Sequence, residues 1–288
     1  MNELLGIALT GSIRGGIVIV AVLVLRLLLR KAPKKYICLL WILAGLRLLV
    51  PFDIESPFSL QPQMEPSAWT QAASREPEIQ VETEPENGEE IGMLVWSAGM
   101  GVMLIYCIVT FSRLKWRLRE AVWIGGRIWE SDRIDTAFVL GYFHPRIYLP
   151  MNVPGEYRQM VLLHEEEHLK HWDHWLKLMM FVTLAIHWFN PLVWLAYGLF
   201  SMDMELACDE AVVSSMNLEE RKRYSAALLA CSSDRSNLAV YPVPFGKKPI
   251  QKRIQAVLHY RKPSLWATVA AILAVLLVVL CFLTNPIV

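Results

Sequence analysis

The sequence predicts a membrane protein, mainly α, with four transmembrane helices and one α+β domain between the third and the fourth. Three observations predict it. Apolar residues make up 55% of the chain and charged residues only 19%, against about 25% charge in an ordinary soluble domain. Four apolar stretches approach the roughly 20 residues needed to cross a hydrocarbon core. The charge is also segregated. Residues 53–90 hold ten acids and one base, a net −9, so the rest of the chain carries +10 of a total of +1.

The spans run from Leu4 to Leu25, Tyr36 to Val50, Ile91 to Phe111 and Leu265 to Thr284. The first is not read as a cleaved leader, because its apolar run continues to Leu29 with no small-residue cleavage site behind it. Orientation follows from the basic flanks. Arg26, Arg30, Lys31, Lys34 and Lys35 separate the first two spans. Arg113, Lys115, Arg117 and Arg119 follow the third, and Arg261 and Lys262 precede the fourth. All three clusters belong on the cytoplasmic side of the membrane, which places both termini outside. The organisation expected is therefore residues 1–52 as two spans with a basic loop, 53–90 as an acidic outer loop, 91–112 as the third span, 113–264 as a cytoplasmic domain, and 265–288 as the fourth span with a short outer tail. The Pro, Glu, Ser and Gln content of the outer loop reads as a flexible segment. Arg14 and Arg47 fall inside spans, where a charge is costly. A contact between spans is expected for Arg14, and snorkelling to the outer face for Arg47.

Composition also excludes function classes. A net charge of +1 points to no polyanionic partner, so no direct nucleic-acid binding is expected. None of the five cysteines falls in the outer loop, and no disulfide is predicted.

The inner domain opens with a β-hairpin, Ala137 to Leu140 and Arg146 to Pro150, turned through Gly141 to Pro145. A helix follows from Glu156 and contains His164-Glu165-Glu166-Glu167-His168. Residues i and i+4 share one helix face, so both imidazoles face one Zn²⁺ while Glu165 points at the open coordination position, placed to take a proton from the attacking water. The bland alternative is a solvated acidic turn with two incidental histidines. A second helical pattern, Met204 to Glu210, offers Glu205 as third ligand and Asp209, four residues on, as the acid that orients His164. Glu210 reads as solvated. The apolar run 175–200 between the two halves cannot be one full crossing if His164, His168 and Glu205 meet at one metal. A helical hairpin broken at Asn190-Pro191 is expected instead.

Other residues are weighed lower. His171 and His174 read as structural or solvated, Cys208 as a small buried side chain, Asp173 as orienting a neighbour, and Arg253 as pairing with an acid or the membrane surface. Trp188 and Trp194 suit either an interface or a core. Tyr224 is a weak candidate for stabilising the oxyanion.

The chain also resembles the BlaR/MecR-type membrane metallopeptidases of bacterial β-lactam sensing. KAPKKYICLLWILAGLRLLVPF, HPRIYLP, VLLHEEEHLKHWDHW, HWFNPLVW, DMELACDEAVV and PFGKKPIQKRIQAVL carry the likeness, in the family's order. The resemblance implies zinc ligands His164, His168 and Glu205, Glu165 as general base, and four spans around an inner protease domain. It further implies self-cleavage and loss of a cytoplasmic repressor of the penicillinase-repressor type. The β-lactam sensors carry a penicillin-binding domain after the fourth span. The residues to Val288 hold none, so acylation by β-lactams is not expected.

The reading is an integral membrane zinc metalloendopeptidase with a gluzincin-like α+β catalytic domain. Its cofactor is Zn²⁺, and its partners are the lipid bilayer and a protein or peptide substrate, with a homodimer left open. HPRIYLP is expected to be an edge strand that aligns substrate backbone. One rival is a non-catalytic transducer with a structural zinc site, against which the intact Glu165 argues. Another is a small transporter, whose flux would depend on Arg14 or Arg47 and not on Glu165.

Overall fold

The structure is a computed structural model that describes residues 2–50, 57, 87–231, 249–282 and 284. The acidic loop expected at 53–90 and the outer tail lie almost wholly outside the described residues.

The amino-terminal part is helical: α1 (Asn2–Leu28), α2 (Lys34–Leu49) and α3 (Asn87–Arg117). A short 3₁₀ turn leads into four strands, β1 (Val122–Gly125), β2 (Ile128–Ser131), β3 (Phe138–Leu140) and β4 (Arg146–Pro150). Six helices complete the chain: α4 (Gly155–Lys170), α5 (Asp173–Ile186), α6 (Pro191–Val213), α7 (Leu218–Cys231), α8 (Pro249–Leu258) and α9 (Leu265–Phe282).

Among the described residues three helices, not four, are long and apolar enough to cross a membrane, at Leu4–Leu28, Glu90–Glu120 and Leu265–Phe282. The second expected span is present as α2, but its 16 residues reach only about 24 Å at 1.5 Å per residue, short of a core about 30 Å thick. Helix α2 instead packs against α1, α5, α6 and α9. Its Ile37, Leu40 and Trp41 are completely buried. This enclosure corrects the expectation for Arg47, which does not snorkel but is 5% exposed.

One apolar core unites α1, α2 and α9 with α5 and α6. Val18 and Ile19 of α1, Trp41 of α2, Leu184 of α5, Phe200 of α6 and Val278 of α9 share it. The break expected at Asn190-Pro191 is observed. The Asn190 side chain accepts from the Leu192 N–H at 2.9 Å, capping α6, with Pro191 in its first turn. The same amide donates to Ser12 Oγ at 2.7 Å. Trp188 and Trp194 are packed: Trp188 Nε1 donates to the Trp96 carbonyl and Trp194 Nε1 to the Trp188 carbonyl.

The sheet order is β1-β2-β4-β3, with β2 and β4 parallel and the other pairs antiparallel. The expected hairpin is the β3–β4 pair, in register Phe138 with Tyr148 and Leu140 with Arg146. Gly141 closes its turn at φ 107, where a Cβ would lie 2.8 Å from the His144 carbonyl oxygen, so glycine is required. HPRIYLP is not an edge strand, and this is a correction. In β4, Ile147 and Leu149 pack with Val161 of α4, while Tyr148 packs on the other face with Leu114 and Leu118. A strand buried on both faces reads as continuous apolar sequence and belongs inside a sheet. The edge is β3.

Candidate metal centre

Helix α4 presents His164, Glu165 and His168 on its inner face, at 6%, 6% and 7% exposure. The two imidazole rings stand 4.7 Å apart. Helix α6 brings Glu205 to them: its Oε2 lies 3.3 Å from His164 Nε2 and its Oε1 3.6 Å from His168 Nε2. The ligand atoms of this trio all fall within 4.8 Å of one another. Tetrahedral zinc with bonds of about 2.0–2.1 Å separates its ligand atoms by about 3.3 Å. The donor set and its spacing therefore fit a zinc ion.

Each imidazole is held by its other nitrogen. His168 Nδ1 donates to Asp173 Oδ2 at 2.6 Å. Asp173 reaches it because Trp172 adopts a left-handed conformation, φ 59 and ψ 30, which folds the start of α5 back onto the end of α4. A non-glycine residue there carries a cost of about 1–2 kcal/mol. His164 Nδ1 lies 2.9 Å from the Tyr224 hydroxyl, which itself donates to Asp209 Oδ1 at 2.7 Å. Asp209 Oδ1 is 3.4 Å from the same nitrogen. The Tyr224 hydroxyl thus lies between Asp209 and His164. Tyr224 is placed by an Asn217–Glu220 capping box: the Asn217 N–H donates to Glu220 Oε2 and the Glu220 N–H to Asn217 Oδ1.

Two cations complete the centre. Arg253 of α8 donates to Asp209 from Nε at 2.7 Å and from Nη2 at 2.8 Å. It also reaches His164 Nε2 at 3.1 Å and Glu205 Oε2 at 3.0 Å. Lys177 Nζ lies 3.4 Å from Glu205 Oε1. Burial opposes ionisation of Glu205, but His168, Lys177 and Arg253 hold its carboxyl well below the usual range. Burial likewise opposes protonation of His168, yet Glu205 and the Asp173 hydrogen bond raise its pKa well above the ordinary value.

A second group, His168, Asp173 and Cys208, also offers close ligand atoms. Burial pushes the Cys208 thiol up to about 12, so it stays protonated and ligates poorly.

The structure brings together every residue singled out for the site: His164, Glu165, His168, Glu205, Asp209 and Tyr224. It leaves His171 at the exposed end of α4. Glu210 is not simply solvated, for its Oε2 accepts the Lys34 N–H at 2.7 Å and caps α2. Arg253 pairs with an acid, one of its two expected roles, but that the acid is Asp209 at the metal centre is not legible in the sequence, since 89 residues separate Arg253 from His164. Lys177 did carry a signal, as the one Lys or Arg in the apolar run 175–200.

These side chains open on a cavity of about 430 Å³. Thr136 to Tyr142, the stretch containing the edge strand β3, form its opposite wall.

The profile of the family described as "BlaR1 peptidase M56" matches residues 6–257. The chain belongs to that family. The family is one of metallopeptidases, and three described helices of this chain are long and apolar enough to cross a membrane. The chain is 28% identical over 141 residues to the regulatory protein BlaR1 of Bacillus licheniformis, covering 46% of this chain and 24% of that protein. It is 26% identical over 196 residues to the methicillin resistance protein mecR1 of Staphylococcus aureus, covering 58% of this chain and 33% of that one. The mecR1 protein of Staphylococcus epidermidis matches over the same shares. The matched region of this chain thus spans a quarter to a third of the length of these relatives.

Proposed function

We propose that this chain is a membrane-embedded zinc endopeptidase of signal transduction that cleaves itself and a cytoplasmic regulator, such as a transcriptional repressor. The observation that carries the reading is the convergence of His164, His168 and Glu205 beside the buried carboxylate of Glu165, on a cleft lined by β3, which pairs on one side only among the described residues. The names of the relatives, a regulatory protein and methicillin resistance proteins, support a role in signalling.

In this reading His164, His168 and Glu205 hold the metal. When bound, zinc supplies Lewis-acid polarisation of the scissile carbonyl and lowers the pKa of the attacking water. The Glu165 carboxylate accepts that water's proton and delivers it to the leaving amine. The side of β3 that no described strand pairs offers main-chain N–H and C=O groups to an extended substrate, aligning it across the cleft. Asp173, and Asp209 through Tyr224, keep each Nδ1 protonated and each Nε2 free to ligate. His164 Nε2 has one lone pair, which here faces Arg253 Nη2; to hold a metal, His164 would give up that contact, and Arg253 would keep its hydrogen bonds to Asp209.

The proposal includes four crossings, with α2 as the short one, the protease part in the cytoplasm and both termini outside. The basic ends of α1, α2 and α9 support it, because they lie at one place in the fold.

The test is paired. Wild type and Glu165→Ala are expressed in membranes, bound zinc is measured, and self-cleavage is followed by mass spectrometry. Zinc in both, with the fragments formed by wild type reduced about 10²–10⁴-fold in the variant, is the expected result. Zinc in both, with equal fragments or none, would favour a contact transducer with a structural metal. No zinc in either would remove the site assignment.

A further inference from the structure

Three chain segments that enter or leave the apolar helices meet at one cavity of about 420 Å³, a size typical of small-molecule sites. Arg30 and Lys31 reach it from the loop after α1, Lys34 from the start of α2, and Arg261 and Lys262 from the segment before α9. Among the described residues no ion pair engages any of these five side chains. Of the two acids on the wall, one is paired with an arginine outside the cavity lining, which leaves a single carboxyl among the five cations. Asp209 holds Arg253 at 2.7 Å, and Glu210 accepts the Lys34 N–H at 2.7 Å. The result is a concave set of cations against a low-dielectric wall made by Leu206, Val213 and Val257, which concentrates a positive field.

The flanks of the cavity are apolar and open. Leu28, at the end of α1, is 74% exposed, and Leu265 and Trp266, in the first turn of α9, are 78% and 81% exposed. A soluble anion would leave these side chains in water, whereas acyl chains would cover them. Trp beside Lys and Arg at the end of a span is also the composition of a headgroup layer.

We propose that this cavity binds the phosphate of an anionic phospholipid headgroup, with its acyl chains running along the exposed faces of α1 and α9. The cations neutralise the phosphodiester, and the apolar flanks select a lipid over free phosphate. Asp209 forms part of both the cavity wall and the metal centre, so the headgroup sits directly behind the site. The assignment does not depend on peptidase activity.

The test uses the full chain in neutral detergent, with phosphatidylglycerol or phosphatidylcholine added and retained lipid counted by native mass spectrometry. Wild type is expected to hold phosphatidylglycerol at least about tenfold more tightly than phosphatidylcholine. Each charge removed should weaken binding about fivefold. The combined Lys31→Gln, Arg261→Gln and Lys262→Gln variant should therefore lose roughly a hundredfold, while Lys31→Arg with Lys262→Arg keeps the wild-type preference. Circular dichroism checks folding, and Lys262→Gln alone, with its expected fivefold loss, serves if the triple variant unfolds. Equal binding of the two lipids, or unchanged phosphatidylglycerol binding in the folded Gln variant, would overturn the proposal. Displacement of the lipid by millimolar inorganic phosphate would also overturn it, in favour of a soluble anion.

Discussion

Asp173 accepts a 2.6 Å hydrogen bond from His168 Nδ1, and this contact decides which nitrogen of His168 faces Glu205. With the proton on Nδ1, the lone pair is on Nε2, the atom 3.6 Å from Glu205 Oε1. Losing such an orienting carboxylate typically costs 10–100-fold in metal affinity. Asp173→Ala is therefore expected to weaken zinc binding about 10–100-fold in a chelator competition. Asp173→Asn, which keeps an acceptor oxygen, should lose less. Unchanged affinity in the Ala variant would mean that His168 is oriented by something else.

Tyr224 gives a prediction that separates two roles. Its hydroxyl is buried and engaged by His164 Nδ1 and Asp209, the arrangement of a positioning residue. Tyr224→Phe should weaken zinc binding about tenfold and leave the turnover of self-cleavage at saturating zinc nearly unchanged. An oxyanion donor would behave in the opposite way, with kcat reduced about 10²–10³-fold and zinc affinity preserved.

Asp203 ties α6 to the first two helices of the chain. It accepts from Arg26 Nε at 2.6 Å, from Arg26 Nη2 at 2.9 Å and from Trp41 Nε1 at 3.0 Å, while itself only 1% exposed. Removing one partner of a buried pair costs about 3–5 kcal/mol. Asp203→Ala should lower the stability of the detergent-solubilised protein by that amount in chemical unfolding. Asp203→Asn, still able to accept from Trp41, should lose less. A shift below about 1 kcal/mol for the Ala variant would mean that Arg26 and Trp41 find other partners.

Helix α3 docks through one close approach. A Cβ on Gly99 would lie 2.1 Å from the Trp188 indole, whereas a Cβ on Gly101 would meet nothing within 4 Å. Small residues let helices approach closely where no hydrophobic force drives them together. Gly99→Ala should cost about 1–3 kcal/mol by overpacking, and Gly101→Ala should be near neutral or stabilising. Thermal unfolding of the two variants compares them directly. Equal behaviour would mean that Trp188 moves aside freely.

Features that depend on nearby residues were legible in the amino-acid order alone. Apolar runs marked the helices α1, α3 and α9, since length and hydropathy are local quantities. The spacings His164–His168 and Glu205–Asp209 marked two helix faces, because the 3.6-residue period is set by the backbone. Asn190-Pro191 marked a helix start, since the fixed φ of proline and the short polar side chain of asparagine act within one turn. What only the tertiary structure decided are relations between distant elements. Arg253 reaches His164 across 89 positions, and no periodicity links them. Asp173 meets His168 only because Trp172 takes a conformation that its residue type disfavours. HPRIYLP lies inside the sheet because β2 pairs with it in parallel, and α2 is enclosed because five helices share one core. Short-range sterics and hydrogen bonding write themselves into neighbouring residues. Which apolar face covers which, and which buried charge then needs a partner, is settled only when the elements pack.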